Sequence, residues 1–129
     1  MSRPIRLATV LLMLFLVAGC SSDDGDPAAE LYGEWLTSGG TTVTYDEDGT
    51  WSAQWPGWGS EPFDWGTYTF DVGIMTYFTD PGGRSCQEGQ TGIYEATIID
   101  EQNLSLKSVE ESCSGRGSDF FGGMIRKSS

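Results

Sequence analysis

The sequence predicts an all-β domain, a small antiparallel up-and-down barrel of about eight strands. No stretch from Leu31 onward repeats its apolar residues with a helical period. Thr, Tyr, Trp and Val recur instead in short runs, with Gly, Asp, Asn and Pro between them. Many of these runs alternate polar and apolar residues, which is typical of strands with one buried face. Closure into a barrel would remove the sheet edges that invite aggregation.

Five of these strands are predicted in the first half of the domain. In the third, Trp51, Ala53 and Trp55 alternate with polar residues, so both rings are expected in the core or lining a cavity. The acidic segment 46–49 ends in Gly49, which suits a hairpin loop. A calcium loop would need ligands spread over about 12 residues. The five predicted strands are 33–37, 41–45, 50–55, 65–70 and 74–79.

The second half of the domain repeats the pattern. Tyr94, Ala96 and Ile98 share one face of one predicted strand, and Leu104 and Leu106 share one face of the next. Acidic and amide residues between these two strands indicate a turn. The last three predicted strands are 92–99, 104–109 and 121–127.

The first 20 residues form a separate segment. Arg3 and Arg6 precede an apolar run, residues 7–18, which is shorter than the about 20 residues that a membrane-spanning helix needs. Val-Ala-Gly-Cys at residues 17–20 resembles the lipobox of bacterial lipoproteins. The resemblance implies cleavage before Cys20, a diacylglycerol thioether on its sulfur, and an acyl chain such as palmitate on its new amino group.

Cleavage at this position leaves 110 of the 129 residues, enough for one domain with one core. The whole chain carries 19 Asp and Glu against 7 Lys and Arg, a net charge of −12. This excess argues against nucleic-acid binding, which depends on Lys and Arg neutralising phosphates. It also disfavours contact of the domain with an anionic membrane surface. A cationic ligand or protein would be attracted, and the same charge keeps a tethered domain soluble.

Two cysteines remain in the mature sequence, Cys86 and Cys113. An even number of cysteines in an exported domain indicates a disulfide, because the compartment is oxidising. A redox-active pair is disfavoured because the two residues lack C-x-x-C spacing. The sequence therefore predicts a structural disulfide.

Gly-Glu-Trp at residues 33–35 resembles the G-x-W motif of lipocalin-like barrels, the calycin superfamily. In that family the Trp packs across the closed end of the barrel against a basic residue late in the chain, so the resemblance pairs Trp35 with Arg126. The order of Cys86, residues 92–95, residues 104–106 and residues 113–116 is also similar to that of small bacterial lipocalin-like envelope domains. The implied organisation is a cleaved signal peptide at 1–19, a lipidated Cys20 with a flexible acidic tether over 20–30, and a lipocalin-like β-barrel over 31–127.

Residue types that carry catalysis are scarce. The chain has no His, and no Ser lies in a G-x-S-x-G sequence. The remaining candidates are carboxylates, which are expected on turns or outer faces in contact with solvent: Glu34, Glu61, Asp64, Glu95 and Asp119. The sequence therefore predicts no catalytic activity, no cofactor and no metal site.

The most unusual segment is 51–65, which contains four of the five Trp residues. Trp58 and Phe63 fall in its central loop. Two interpretations stay open: the loop plugs one mouth of the barrel, or its rings form a lid or contact surface for a partner. For the second, the residues expected to line the ligand path are Trp51, Trp55, Trp58, Phe63, Tyr68 and Tyr94.

Together the two resemblances imply a lipid-anchored binding protein of the cell envelope. It would sit on the outer membrane facing the periplasm, or on the outer face of the cytoplasmic membrane, and hold a small apolar or amphiphilic ligand in its barrel. The alternative is a protein-interaction module, such as an inhibitor of a cationic lysozyme or protease, or an envelope assembly accessory. A third possibility is that large side chains fill the barrel and leave no cavity.

Overall fold

A computed structural model of the chain describes residues 26–57 and 59–127. Its eight strands form one closed antiparallel barrel in which each strand pairs with its neighbours in sequence, and the last strand pairs with the first. The predicted fold class is therefore confirmed. The strands are β1 (Gly33–Thr37), β2 (Thr42–Tyr45), β3 (Thr50–Gln54), β4 (Asp64–Asp71), β5 (Ile74–Thr79), β6 (Thr91–Asp100), β7 (Asn103–Glu111) and β8 (Met124–Arg126).

In the described part of the chain, two short helices flank the strands. A 3-10 helix, Ala29–Leu31, precedes β1, and the α-helix α1, Ser114–Asp119, lies between β7 and β8. The apolar pattern does not indicate α1, because its six residues are too few to show a helical period. Among the residues described, no helix has the length and apolar character needed to cross a membrane.

Aromatic side chains fill most of the barrel interior. The ring of Tyr77 lies at the centre, with centroid distances of 5.5 Å to Trp51, 5.6 Å to Tyr94 and 5.2 Å to Phe120. The hydroxyls of Tyr77 and Tyr45 are hydrogen-bonded to each other. The largest fully buried side chains are those of Leu31, Trp35, Val43, Tyr45, Trp51, Met75, Tyr77, Tyr94, Leu104 and Phe120.

One end of the barrel is closed by Trp35 and Arg126. The guanidinium of Arg126 lies over the Trp35 ring, 4.3 Å from its centroid, and the indole N–H donates to the Leu31 carbonyl at 2.7 Å. Arg126 also donates to the carbonyls of Glu30 at 2.6 Å and Tyr32 at 2.9 Å. This arginine therefore ties β8 to the segment that enters the barrel.

The opposite end, which we call the mouth, is formed by the loop segments 38–41, 55–63 apart from Trp58, and 80–90, together with α1. A disulfide joins Cys86 in the third segment to Cys113, the residue before α1, with an S–S distance of 2.00 Å and a Cα–Cα distance of 5.5 Å. The predicted disulfide is confirmed. It fixes the start of α1 against the neighbouring loop.

The turn between β4 and β5 has only two residues, Val72 and Gly73, and φ is +49° at the first and +75° at the second. Positive φ at both central positions is the geometry of a type I′ hairpin, which favours Asn or Gly. A β-branched residue in this region is strained. The Val72 side chain is exposed, so its packing offers no compensation.

Replacing Val72 by Asn should therefore stabilise the domain. The expected increase in the free energy of unfolding is about 1 kcal/mol, because Asn tolerates the left-handed conformation. Urea denaturation followed by tryptophan fluorescence measures this difference. Val109→Asn is the matched control: Val109 is also exposed but lies within β7, where Asn should lower stability. An unchanged or lower midpoint for Val72→Asn would show that the turn is not strained.

Candidate functional site

A cavity of about 610 Å³ lies at the mouth. It is bounded by three loop segments, the inner face of β3 and helix α1. The interior below it is filled by the aromatic core, so the cavity does not continue through the barrel. Its lining residues are Ser38, Gly39, Thr41, Trp51, Ala53, Trp55, Phe63, Asp64, Ser85, Gly115, Arg116, Ser118, Asp119 and Phe120.

One wall of the cavity is aromatic. Trp51 is buried, and its indole N–H donates to the Phe78 carbonyl at 3.1 Å. A close approach at Gly66 makes this position possible, because a Cβ there would lie 1.7 Å from the same carbonyl oxygen. Trp55 and Phe63 stack with ring centroids 4.3 Å apart. β3 ends at Gln54, one residue earlier than predicted, and Trp55 is 37% exposed at the rim.

The floor beside this wall is a buried ion pair. Arg116 on α1 donates to both carboxylate oxygens of Glu111, each at 2.8 Å, and to the Thr79 hydroxyl at 3.0 Å. The side chains of Arg116 and Glu111 are 2% and 7% exposed. The guanidinium lies 5.6 Å from the ring centroids of Trp51 and Tyr77. Glu111 balances the charge of Arg116, so the pair adds little net charge to the cavity.

Asp64 lines the cavity beside the aromatic wall, as the cross-strand neighbour of Ala53, and is only 3% exposed. Its Oδ1 accepts hydrogen bonds from the backbone N–H groups of Cys86 at 3.1 Å and Ser85 at 3.3 Å. Burial raises the pKa of the Asp64 carboxyl above its usual 3.8, although these hydrogen bonds and the Arg116 charge act in the opposite direction. The expectation that Asp64 is solvated is therefore wrong.

A second carboxylate, Asp119, lies at the end of α1. Its Oδ1 accepts a hydrogen bond from the Thr37 hydroxyl at 2.8 Å, and a Cβ on Gly39 would lie 2.6 Å from the same oxygen. The helix thus closes over the β1–β2 segment. With the Arg116–Glu111 pair balanced, Asp64 and Asp119 give the cavity lining a negative charge.

The structure divides the predicted ligand-binding residues into three groups. Trp51, Trp55 and Phe63 line the cavity. Tyr68 and Tyr94 are buried outside its lining: the Tyr68 hydroxyl donates to the Asp46 carbonyl at 3.0 Å, and the Tyr94 hydroxyl donates to Glu111. Burial and the adjacent Glu111 carboxylate raise the pKa of Tyr94 far above its usual value. Trp58 lies outside the described residues.

Sequence reasoning missed the polar half of the site. The burial of Asp64 could have been predicted, because Asp64 lies on the same face of β4 as Tyr68 and Phe70. The strand begins at Asp64, one residue earlier than predicted. No sequence pattern indicates the role of Arg116, since its contact with Glu111 depends on the position of α1. Phe63 is buried against the core, and its N–H donates to the Ala53 carbonyl at 2.8 Å, so this part of the loop does fold into the mouth.

Within residues 26–57 and 59–127, no group of three or more His, Cys, Asp or Glu side chains is placed to hold a metal ion. No family model, curated protein or solved structure matches the chain. The site is therefore interpreted from its own chemistry. Aromatic rings beside fixed carboxylates in a cavity of this size suit the binding of a small molecule with an apolar part and a polar part.

The raised pKa of Asp64 leads to a prediction about stability. The pKa of Asp64 is higher in the folded protein than in the unfolded chain. Its contribution to the free energy of unfolding is therefore complete below the unfolded-state pKa and is lost as the pH rises through the folded-state pKa. Asp64→Asn keeps an oxygen acceptor and removes the charge. The variant should therefore gain stability relative to the wild type between about pH 3 and about pH 7 in urea denaturation.

Asp48→Asn is the opposite control. Hydrogen bonds from Thr50 lower the pKa of Asp48, so its stabilising effect is present at neutral pH and lost in acid. This variant should lose stability relative to the wild type over the same rise in pH. A flat or falling difference for Asp64→Asn would contradict the burial effect.

Proposed function

We propose that this chain is a lipid-anchored binding protein of the cell envelope that holds a small amphiphilic molecule in the mouth cavity. The observation that carries the proposal is the cavity of about 610 Å³, which is lined both by the rings of Trp51, Trp55 and Phe63 and by the charged side chains of Asp64 and Arg116. Its volume falls within the range of about 300 to 1,000 Å³ typical of small-molecule sites. Because a barrel fold by itself does not specify a function, the proposal depends on this site.

The packing of the barrel limits how a ligand would bind. Tyr77, Tyr94 and Phe120 fill the interior below the cavity, so there is no room for a long alkyl chain along the barrel axis. The apolar part of a ligand would lie against the Trp51 and Phe63 rings. Its polar part would face Asp64 and the mouth.

The lipid anchor is a second part of the proposal. Its support is the lipobox-like sequence ending at Cys20, which lies outside the described residues. The lipocalin-like character of the domain has the support of the closed barrel and of Arg126 over the Trp35 ring. Membership of that family is proposed on this basis.

A protein-interaction module is the second candidate, and two observations favour it. The chain has a net charge of −12, and the ring of Phe121, which follows α1 at the mouth, is strongly exposed. Aromatic anchors and complementary charge are typical of protein interfaces. Such a complex with a cationic enzyme would associate much more slowly at high salt, whereas an apolar contact in the cavity would not.

Uptake of a neutral fluorescent probe tests small-molecule binding. Phenylnaphthylamine should bind saturably to the mature protein, and Trp55→Ala should weaken binding about tenfold by removing part of the aromatic wall. Phe78→Ala is the matched control, because Phe78 is 41% exposed on the outer face of β5, close to the 37% of Trp55. No saturable uptake by the wild type, or an equal loss in both variants, would contradict binding in the cavity.

Metabolic labelling with palmitate in a bacterial host tests the anchor. The wild type should incorporate the label and remain with the membrane fraction, and Cys20→Ala should lose both properties. A variant lacking Cys86 and Cys113 is the control and should keep the label, because its Cys20 is intact. Incorporation of the label by Cys20→Ala at the wild-type level would exclude a lipid anchor at this position.

A further inference from the structure

We propose that the mouth cavity selects amphiphiles with a cationic head group, a primary ammonium on an aromatic or aliphatic body, and that Asp64 receives the ammonium. This inference rests on the proposed small-molecule function and specifies the ligand class. It follows from the balance of charge in the lining, from the hydrogen bonding of Asp64 and from the aromatic wall.

The charge balance leaves carboxylates as the unmatched groups. Arg116 is the cationic side chain in the lining, and Glu111 holds it through two hydrogen bonds of 2.8 Å. An anionic ligand would have to compete with Glu111 for that guanidinium. Arg84, on the neighbouring loop, is exposed and lies outside the lining. Asp64 and Asp119 therefore set the sign of the charge that a ligand meets.

Asp64 has the geometry of a receiving group. The hydrogen bonds that it accepts from the N–H groups of Ser85 and Cys86 both end on Oδ1, and no described side chain donates to Oδ2. Oδ2 is thus the atom that a ligand ammonium would meet. Because the side chain is removed from bulk water, an ion pair formed there is less screened than one on the surface. The disulfide at Cys86 and the backbone bonds hold the carboxylate in position before a ligand arrives.

The aromatic wall complements this carboxylate. The rings of Trp55 and Phe63 stack at the rim, and Trp51 lies deeper on the same side. Indole and phenyl faces attract cations and also bury apolar surface. A molecule with an ammonium at one end and an apolar body can therefore contact the carboxylate and the neighbouring rings at once. The overall charge of −12 would also draw cations toward the domain.

Three probes of nearly equal size separate these contributions: phenylbutylamine, phenylbutanol and phenylbutanoate, titrated into the mature protein by calorimetry at neutral pH. The amine should bind about tenfold more tightly than the alcohol, and the carboxylate should bind most weakly. Asp64→Asn should bring the ratio of amine to alcohol affinity close to one. Asp119→Asn is a second variant of the same kind, in case the first fails to fold.

Glu61→Gln is the matched control for overall charge. Glu61 is an exposed carboxylate on the 55–63 loop, outside the lining, so its loss should leave the affinity ratio as it is in the wild type. An equal effect of Glu61→Gln and Asp64→Asn would show that diffuse charge causes the selectivity and would overturn the inference. A ratio that persists in Asp64→Asn would overturn the assignment of the ammonium to Asp64, and one that persists in Asp119→Asn as well would overturn selection by the lining carboxylates.

The same titrations distinguish the two proposals. Equal affinities for the three probes would leave the small-molecule function standing and overturn the selection of cations. Absence of binding for all three would contradict both. Tighter binding of phenylbutanoate would mean that Arg116 exchanges Glu111 for a ligand, and the inferred sign of the charge would then be wrong.

Discussion

The buried pair of Arg116 and Glu111 is the interaction on which the arrangement of the mouth depends. It joins α1 to the end of β7, and the same carboxylate accepts a hydrogen bond from Tyr94. An ion pair of this kind adds little stability compared with apolar packing, but loss of one partner leaves a buried charge and costs about 3–5 kcal/mol. The pair therefore fixes the position of α1 and adds little to the free energy of unfolding.

The barrel uses an arginine against an indole at both ends, with different results. At the closed end Arg126 covers Trp35 and satisfies backbone carbonyls, so the end is filled and tied to the incoming chain. At the mouth Arg116 lies over Trp51 but is held to one side by Glu111. Space remains above the indole, and the cavity occupies it. The two ends differ because the Arg126 guanidinium binds backbone carbonyls of the incoming chain, whereas the Arg116 guanidinium binds the Glu111 carboxylate.

Local patterns predicted the barrel well, because the alternation of buried and exposed residues in a strand can be read over a few positions, as at Trp51 and Ala53. The polar half of the site could not be predicted in the same way. Arg116 meets Glu111 only through a six-residue helix that tertiary contacts stabilise. Asp64 belongs to the inner face of β4 by parity, yet a carboxylate at a strand end is ordinarily solvated. What the sequence lacks is the information about which strand ends meet at the mouth.

The chain enters the barrel at the closed end, where Arg126 binds the carbonyls of Glu30 and Tyr32, whereas the cavity lies at the mouth. The chain thus enters at one end of the barrel and the cavity opens at the other. With Cys20 held in a bilayer as proposed, a barrel standing on its closed end would turn the cavity away from the lipid surface and toward the solutes of the surrounding aqueous compartment.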